Sequence, residues 1–521
     1  MKKYSLLFSL LTLLTAYCSA QITWANNIAP IMYAHCTSCH HNGGIGAFPL
    51  MTYAEASVPY IDVSDAVSTR TMPPWMPDPN YRHFKDENVL SQSEIDDINA
   101  WVGAGKPEGN PASAPTPPVY NIGSQLAQVD KTLQIPTFTV TATIDQYRSF
   151  VIPSGYNTSK FLGQIEYLPG NPAIVHHIVF YYDPTPTSAY LDQSDPLPGF
   201  ESYGVGPLSS SGVWIGAWAP GQSTNILPAN MGLKIPAGAD FVIEVHYAPN
   251  SQGQTDNSSV NVAYTPPPAT GTIREVYTEP VLTYQNDMTD GPLFIPANTV
   301  KTFHQEKNIG GTDISLIGLF PHMHRVGTSI NTYAKKGNIT TPLIDIPKWD
   351  FHWQGYYTVQ SLLKIPANSI LYSAATYDNT TNNPDNPSSP PQDVGAGEHT
   401  TDEMMITFIT YTLYQTGDEN IILDSTMLST GISPALSVLP FTVSPNPAQN
   451  SLRFSIDLAK NSEVNYRLTD VLGKVVLQGK KENAAAGNFV QSIDIQALSK
   501  GNYFLSVSAE GRYGVQKIVK E

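Results

Sequence analysis

Cys36-Thr37-Ser38-Cys39-His40 is the densest run of reactive side chains in this sequence. The one other cysteine, Cys18, lies in the apolar N-terminal leader. In C-x-x-C-H, two thiols reach both vinyl groups of one porphyrin and the next imidazole falls under the iron. The spacing therefore reads as covalent c-type haem attachment through Cys36, Cys39 and His40. A disulfide or a zinc site competes, but zinc calls for further ligands of the cysteine type. For the sixth position, Met72 stands in Thr71-Met72-Pro73-Pro74-Trp75, where prolines stiffen the loop that would hold a thioether against iron. Met76 and His83 are the alternatives.

A second set of donors is scattered through the middle of the chain. It comprises Val175-His176-His177-Ile178, Glu244-Val245-His246-Tyr247, Pro321-His322-Met323-His324-Arg325 and Asp402-Glu403-Met404-Met405. On a strand His322 and His324 share one side, so the pair can chelate one metal without strain. His176 and His177 point opposite ways on a regular strand and share a metal only at a strand end or bulge. Imidazole suits copper in either oxidation state and a thioether favours Cu(I). Three histidines in one group and His/His/Met in another thus read as two copper sites. His35, His41, His304, His352 and His399 lack a partner pattern and are expected to be surface or structural. Met323 should point away from its flanking histidines, and Met405 should pack.

These residues need several modules to position them. At 521 residues the chain exceeds one core, and roughly three to four domains are expected. Residues 21–108 are helical in pattern. Ser91-Gln92-Ser93-Glu94 is a capping box with Leu90 as its staple, and Ile95, Ile98, Trp101 and Val102 repeat at helical spacing. A Pro-rich linker follows at 109–123. Residues 124–432 alternate in strand fashion with Gly, Pro, Asn and Asp turns, as in Phe241 to Tyr247. They divide into sandwiches over 124–270 and 271–432, with Pro266-Pro267-Pro268 near the boundary. Short strands fill 439–521. The fold class is therefore multidomain: a small all-α cytochrome c, two antiparallel β-sandwiches and a small C-terminal β-sandwich.

The scattered donors resemble those of the copper type II ascorbate-dependent monooxygenases, the family of peptidylglycine α-hydroxylating and dopamine β-monooxygenases. The motif order matches over about 124–432: His-His, lone His, His-x-His, Asp-Glu-Met. The resemblance implies two β-sandwiches facing across a wet cleft. It implies one copper on His176, His177 and His246 as electron reservoir, and a second on His322, His324 and Met404 that binds dioxygen beside the substrate. Met404 rather than Met405 rests on that match alone. The arginine that clamps the substrate carboxylate in the peptide hydroxylase corresponds to Phe320, and the Tyr and Asn after its ligand Met to Phe408 and Ile406. Amidation of glycine-extended peptides is therefore not implied, and a less polar substrate is suggested.

Export is written at both ends. Lys2 and Lys3, the apolar run Tyr4 to Ala16, and small residues Ser19 and Ala20 form a signal peptide over 1–20; lipidation at Cys18 is the alternative. Residues 439–521 resemble the type A sorting domain of type IX secretion, through Ser444-Pro445-Asn446-Pro447, Asp470-Val471-Leu472-Gly473-Lys474, Gly501-Asn502-Tyr503 and the basic tail. This implies passage through the periplasm to the surface or medium. The net charge of −16 argues against nucleic acid or an anionic membrane as partner, and no apolar run beyond the leader is long enough to span a bilayer. The expected activity is C–H hydroxylation of an organic small molecule with O2, using two copper ions and one haem c that relays electrons from an external donor. The competing expectation is an electron-transfer or copper-binding protein without oxygenase activity.

Overall fold

The computed structural model describes residues 21–46, 48–58, 63–120, 124–202, 212–222, 224–424, 439, 441–470, 475–509 and 512–521. The signal peptide, Cys18 and positions 471–474 of the sorting motif lie outside them. The chain divides into two compact units, Met1–Trp75 with Asn88–Ser124, and Met76–Glu87 with Gln125–Glu521.

The first unit is helical. A π-turn over Trp24–Ile28 runs into α1 (Ala29–His35), followed by α2 (Tyr53–Ala56), α3 (Val63–Ser68) and α4 (Gln92–Gly103). Helix α4 starts at Ser91, whose hydroxyl accepts the Glu94 amide while the Glu94 carboxylate takes the Ser91 N–H at 2.7 Å. Leu90 and Ile95, on either side of that cap, share a core with Trp24, Ile28, Met32, Ile98 and Trp101. His35 is structural here, with its Nδ1 2.7 Å from Asn88 Oδ1.

In the second unit, seven strands matter for the candidate site: β1 (Gln146–Pro153), β2 (Val175–Asp183), β3 (Val213–Trp218), β4 (Asp240–Tyr247), β5 (Arg274–Thr283), β6 (Ile314–His322) and β7 (Ile406–Leu413). A five-stranded sheet has the order Phe200–Glu201, β1, β4, β2, β3. A nine-stranded sheet runs Lys131–Gln134, Ser259–Tyr264, Lys160–Leu168, Met231–Ile235, β5, β7, β6, Tyr357–Ile365, with Asn225–Ile226 as a side branch. A four-stranded sheet contains Thr299–Asn308, Ile370–Asn379, Gly327–Lys336 and Ile339–Ile346. The sequence suggests two separate sandwiches, whereas one sheet passes through both. Strand β5 lies parallel to Met231–Ile235, pairing Arg274 with Met231 and Val276 with Leu233. Strand β6, between β7 and Tyr357–Ile365, is buried along its whole length.

Residues 76–87, expected in the helical module, belong to the second unit. Asp78 N donates to Asp345 O at 2.8 Å, Lys85 N donates to Thr358 O at 2.8 Å, and buried Phe84 lies 5.6 Å from the Tyr357 ring. The C-terminal residues form three-stranded and four-stranded antiparallel sheets around Leu452, Phe454, Leu468, Leu505, Val507 and Ile518. Among the described residues no helix is long and apolar enough to cross a membrane.

Candidate metal centre

Strands β2 and β4 bring three imidazoles together. His246 pairs with His177, but the next pair is Tyr247 with Val175. His176 is therefore the extra residue of a β-bulge, which turns it toward its neighbour's side instead of the opposite face. His176 Nδ1 lies 3.2 Å from His177 Nδ1, which lies 3.4 Å from His246 Nδ1. Nitrogens held ~2.0 Å from one metal stand roughly 3.3 to 3.5 Å apart in tetrahedral or trigonal geometry; His177 Nδ1 stands near that spacing from each of the other two, and one ligand atom of each ring lies within 4.8 Å of the others. The far nitrogen of His246 is occupied, with Nε2 donating to Asp145 Oδ1 at 2.7 Å. That bond leaves the Nδ1 lone pair for a metal, and Tyr147 fixes the ring by stacking at 4.1 Å. Burial and the neighbouring imidazoles hold His177 and His246 well below the usual histidine range, and burial with His352 nearby takes His176 down to about 4. All three are neutral near pH 7, as ligands must be.

The second cluster stands at the end of β6. His322 pairs with Ile406 at the start of β7, and Met404 lies two residues before that strand. The His322 and His324 ring centroids are 5.0 Å apart. His322 Nδ1 donates to Gln354 Oε1 at 2.6 Å and His324 Nδ1 to Asp402 O at 3.1 Å. Both rings therefore keep Nε2 for a metal, and His322 Nε2 is buried with no partner among the described residues. Burial lowers His322 to about 3 and His324 to about 4.

Glu403 fastens the two chain segments. Its carboxylate accepts the amides of His324, Val326, Gly327 and Met404 at 2.8–3.2 Å, although burial pushes its carboxyl up to about 8. Met404 is buried in an apolar cluster with Phe320, Ile406 and Phe408. Met323 packs on Gly327, and Met405 is fully buried.

Sequence reasoning missed the turn at 349–354. Trp349 Nε1 donates to His324 O at 3.2 Å. The Phe351 ring lies 6.2 Å from that of His176 and 6.0 Å from that of His324, between the two clusters. His352, expected to be surface or structural, is exposed and also stands 5.7 Å from the His176 ring, bonded through Nδ1 to Asp350 Oδ1 at 3.0 Å. Neither residue belongs to a periodic pattern, so no sequence signal marks them. His177 and His322 also line one pocket, together with Val179, Trp214, Ala217, Trp218, Phe320, Phe408 and Gln354.

In the first unit, the cysteines follow α1. His40 Nδ1 donates to Phe48 O at 2.8 Å, freeing Nε2 in the tautomer an axial haem ligand needs. The glycine turn closes on this ring, since a Cβ at Gly46 would meet His40 Nδ1 at 2.7 Å. Burial pushes the Cys36 thiol up to about 12 and raises Cys39 as well. Both are free thiols. Tyr120 stacks on His41 at 4.2 Å and its hydroxyl is 2.7 Å from Thr37 Oγ1. Of the sixth-ligand alternatives, Met76 Sδ accepts the Asp350 amide at 3.2 Å and His83 Nδ1 pairs with Glu87 at 3.0 Å. The Cys36, Cys39 and His40 side chains are thus of the type and tautomer that such a group would need.

Comparison with known proteins covers the second unit. Residues 294–426 match the copper type II ascorbate-dependent monooxygenase C-terminal domain. Residues 442–521 match the secretion system C-terminal sorting domain, which marks the chain for type IX secretion to the cell surface or beyond. No match is found among curated protein sequences. Solved structures with some likeness include β-glucuronidases from Faecalibacterium prausnitzii (10% identity, TM-score 0.15, 42% of this chain and 37% of that chain) and Parabacteroides merdae (9%, 0.13, 43% and 28%). A tetra-tandem repeat of a large adhesion protein is also similar (11%, 0.14, 72% and 75%). The chain spans well under half the length of those glucuronidases, and at such TM-scores the likeness carries no argument. The monooxygenase match supports a copper-using oxidoreductase.

Proposed function

We propose that this chain is an exported copper-dependent monooxygenase that hydroxylates a C–H bond of an organic substrate with O2, taking electrons through a c-type haem. The observation that carries this reading is the convergence of the His176, His177 and His246 Nδ1 atoms at 3.2 and 3.4 Å, together with the buried, unpartnered Nε2 of His322. In this reading His176, His177 and His246 hold one copper, and His322, His324 and Met404 hold the other. Cys36 and Cys39 carry the haem between His40 and Met72. Bound copper supplies electron storage at the first site and dioxygen activation at the second. The chain's own contribution is to keep the imidazoles neutral, to fix their tautomers through Asp145, Gln354 and Asp402, and to keep bulk water away from the second site.

The test is metal and haem analysis of the secreted protein, followed by oxygen uptake with a panel of C–H substrates. Two coppers, one haem and substrate-dependent uptake support the reading. Full metal loading without uptake favours the second reading, an extracellular haem and copper electron-transfer protein. The tight placement of Phe351 between the clusters suits that role too. Stopped-flow reduction of the haem, followed by loss of the Cu(II) signal, tests the relay itself.

A further inference from the structure

A narrow, partly open slot adjoins the two histidine clusters, and His177 and His322 are both among the residues that line it. Trp214 on β3 stacks on Phe408 at 4.6 Å and lies 5.1 Å from Phe320. The Phe320 ring is nearly parallel to that of His322, 13° apart at 6.2 Å. An aromatic wall thus runs from the five-stranded sheet to the imidazole of the second cluster.

The one side-chain amide of the lining is already committed. Gln354 gives its oxygen to His322 Nδ1 and its amide N–H to Phe351 O at 3.0 Å. Three of the His177 contacts are rings of its own cluster and Tyr147. His322 Nε2 alone is unpartnered among these, and it is the nitrogen left for metal. No Asp, Glu, Lys or Arg lines the slot among the described residues.

We propose that the substrate is an uncharged, mainly apolar molecule, aromatic or alkyl, that lies in this slot with its reacting carbon toward His322. The proposal rests on the monooxygenase reading for what happens to the molecule, but not for which molecule binds. A neutral ring gains apolar burial and dispersion against Trp214, Phe320 and Phe408. A carboxylate or ammonium would surrender its hydration and meet no side chain of opposite charge, so the slot discriminates by the cost of burying charge.

The experiment uses the full secreted chain stripped of copper, titrated with toluene, benzoate and benzylamine while tryptophan fluorescence is followed. These probes share a ring and differ in charge. Toluene is expected to bind at least ~10-fold tighter than either ion. Phe320→Leu should keep that order, and Phe320→Arg should bring benzoate above toluene by about 10-fold. Equal or tighter binding of an ion by the unaltered chain overturns the proposal, as does the absence of binding by all three. An unchanged order in a folded Phe320→Arg variant also overturns it. Because the readout is binding without copper, failure of the monooxygenase reading appears separately, in metal content and oxygen uptake.

Discussion

Gln354 Oε1 accepts the Nδ1 proton of His322 across 2.6 Å. This one bond selects the tautomer and aims the free Nε2 at the place where metal would sit. Gln354→Leu fills similar volume and removes the acceptor. It is expected to weaken copper at that site by roughly 10- to 100-fold and leave the other site unchanged. Competition against a graded chelator series reads both affinities.

The first cluster depends on one strand partner. His246→Ala is expected to remove one equivalent of copper per chain and leave the other, as counted by elemental analysis and Cu(II) spin resonance. Loss of both would mean that the two sites fold as one.

Phe351 is buried and touches an imidazole of each cluster. Phe351→Ala is expected to cost about 3 kcal/mol of stability through the cavity it leaves, and Phe351→Leu clearly less. Urea unfolding of the metal-free protein measures both. A cost near zero would show that the turn is not packed as described.

Acid sensitivity should trace to Asp418. Burial alone would raise its carboxyl, but hydrogen bonds from Arg274 and Ser315 and the Gln415 amide outweigh that and hold it at about 2, against an ordinary 3.8. A depressed carboxyl stabilises the fold above its ordinary value, and that contribution fades as pH falls from about 3.8 to about 2. It is worth about 2 kcal/mol. Asp418→Asn should lose most of it and flatten the acid limb of stability measured by urea unfolding across this range.

Gly46→Ala should disturb the proposed haem site without replacing a ligand. The added carbon would meet His40 Nδ1 at 2.7 Å. Covalent haem is expected to persist, while the visible bands of the reduced form shift and the potential moves. An unchanged spectrum would detach the turn from the ligand.

Local features were legible in the sequence because their causes are local. Ser91 and Glu94 announce a helix start by hydrogen-bond geometry alone, and His322 and His324 announce a shared direction by strand period. The His176–His177 pair was only half legible. Adjacent side chains need a bulge, and that bulge arises where Tyr247, some 70 residues away in the chain, pairs with Val175. Phe351 and His352 were not legible at all. They reach the first cluster from a turn whose position is set by sheet packing. The continuous sheet was hidden for the same reason, since β5 and Met231–Ile235 meet in parallel across the segment containing Pro266-Pro267-Pro268.

That parallel pairing has a mechanical result. Arg274, Glu275 and Val276 are laced by main-chain bonds to Met231, Gly232 and Leu233, and Arg274 is clamped again by Asp418 at 2.7 Å. Strands from either side of the Pro266-Pro267-Pro268 segment are thus planks of one braced floor, on which His322 stands, while His177 and His246 ride on the separate five-stranded sheet.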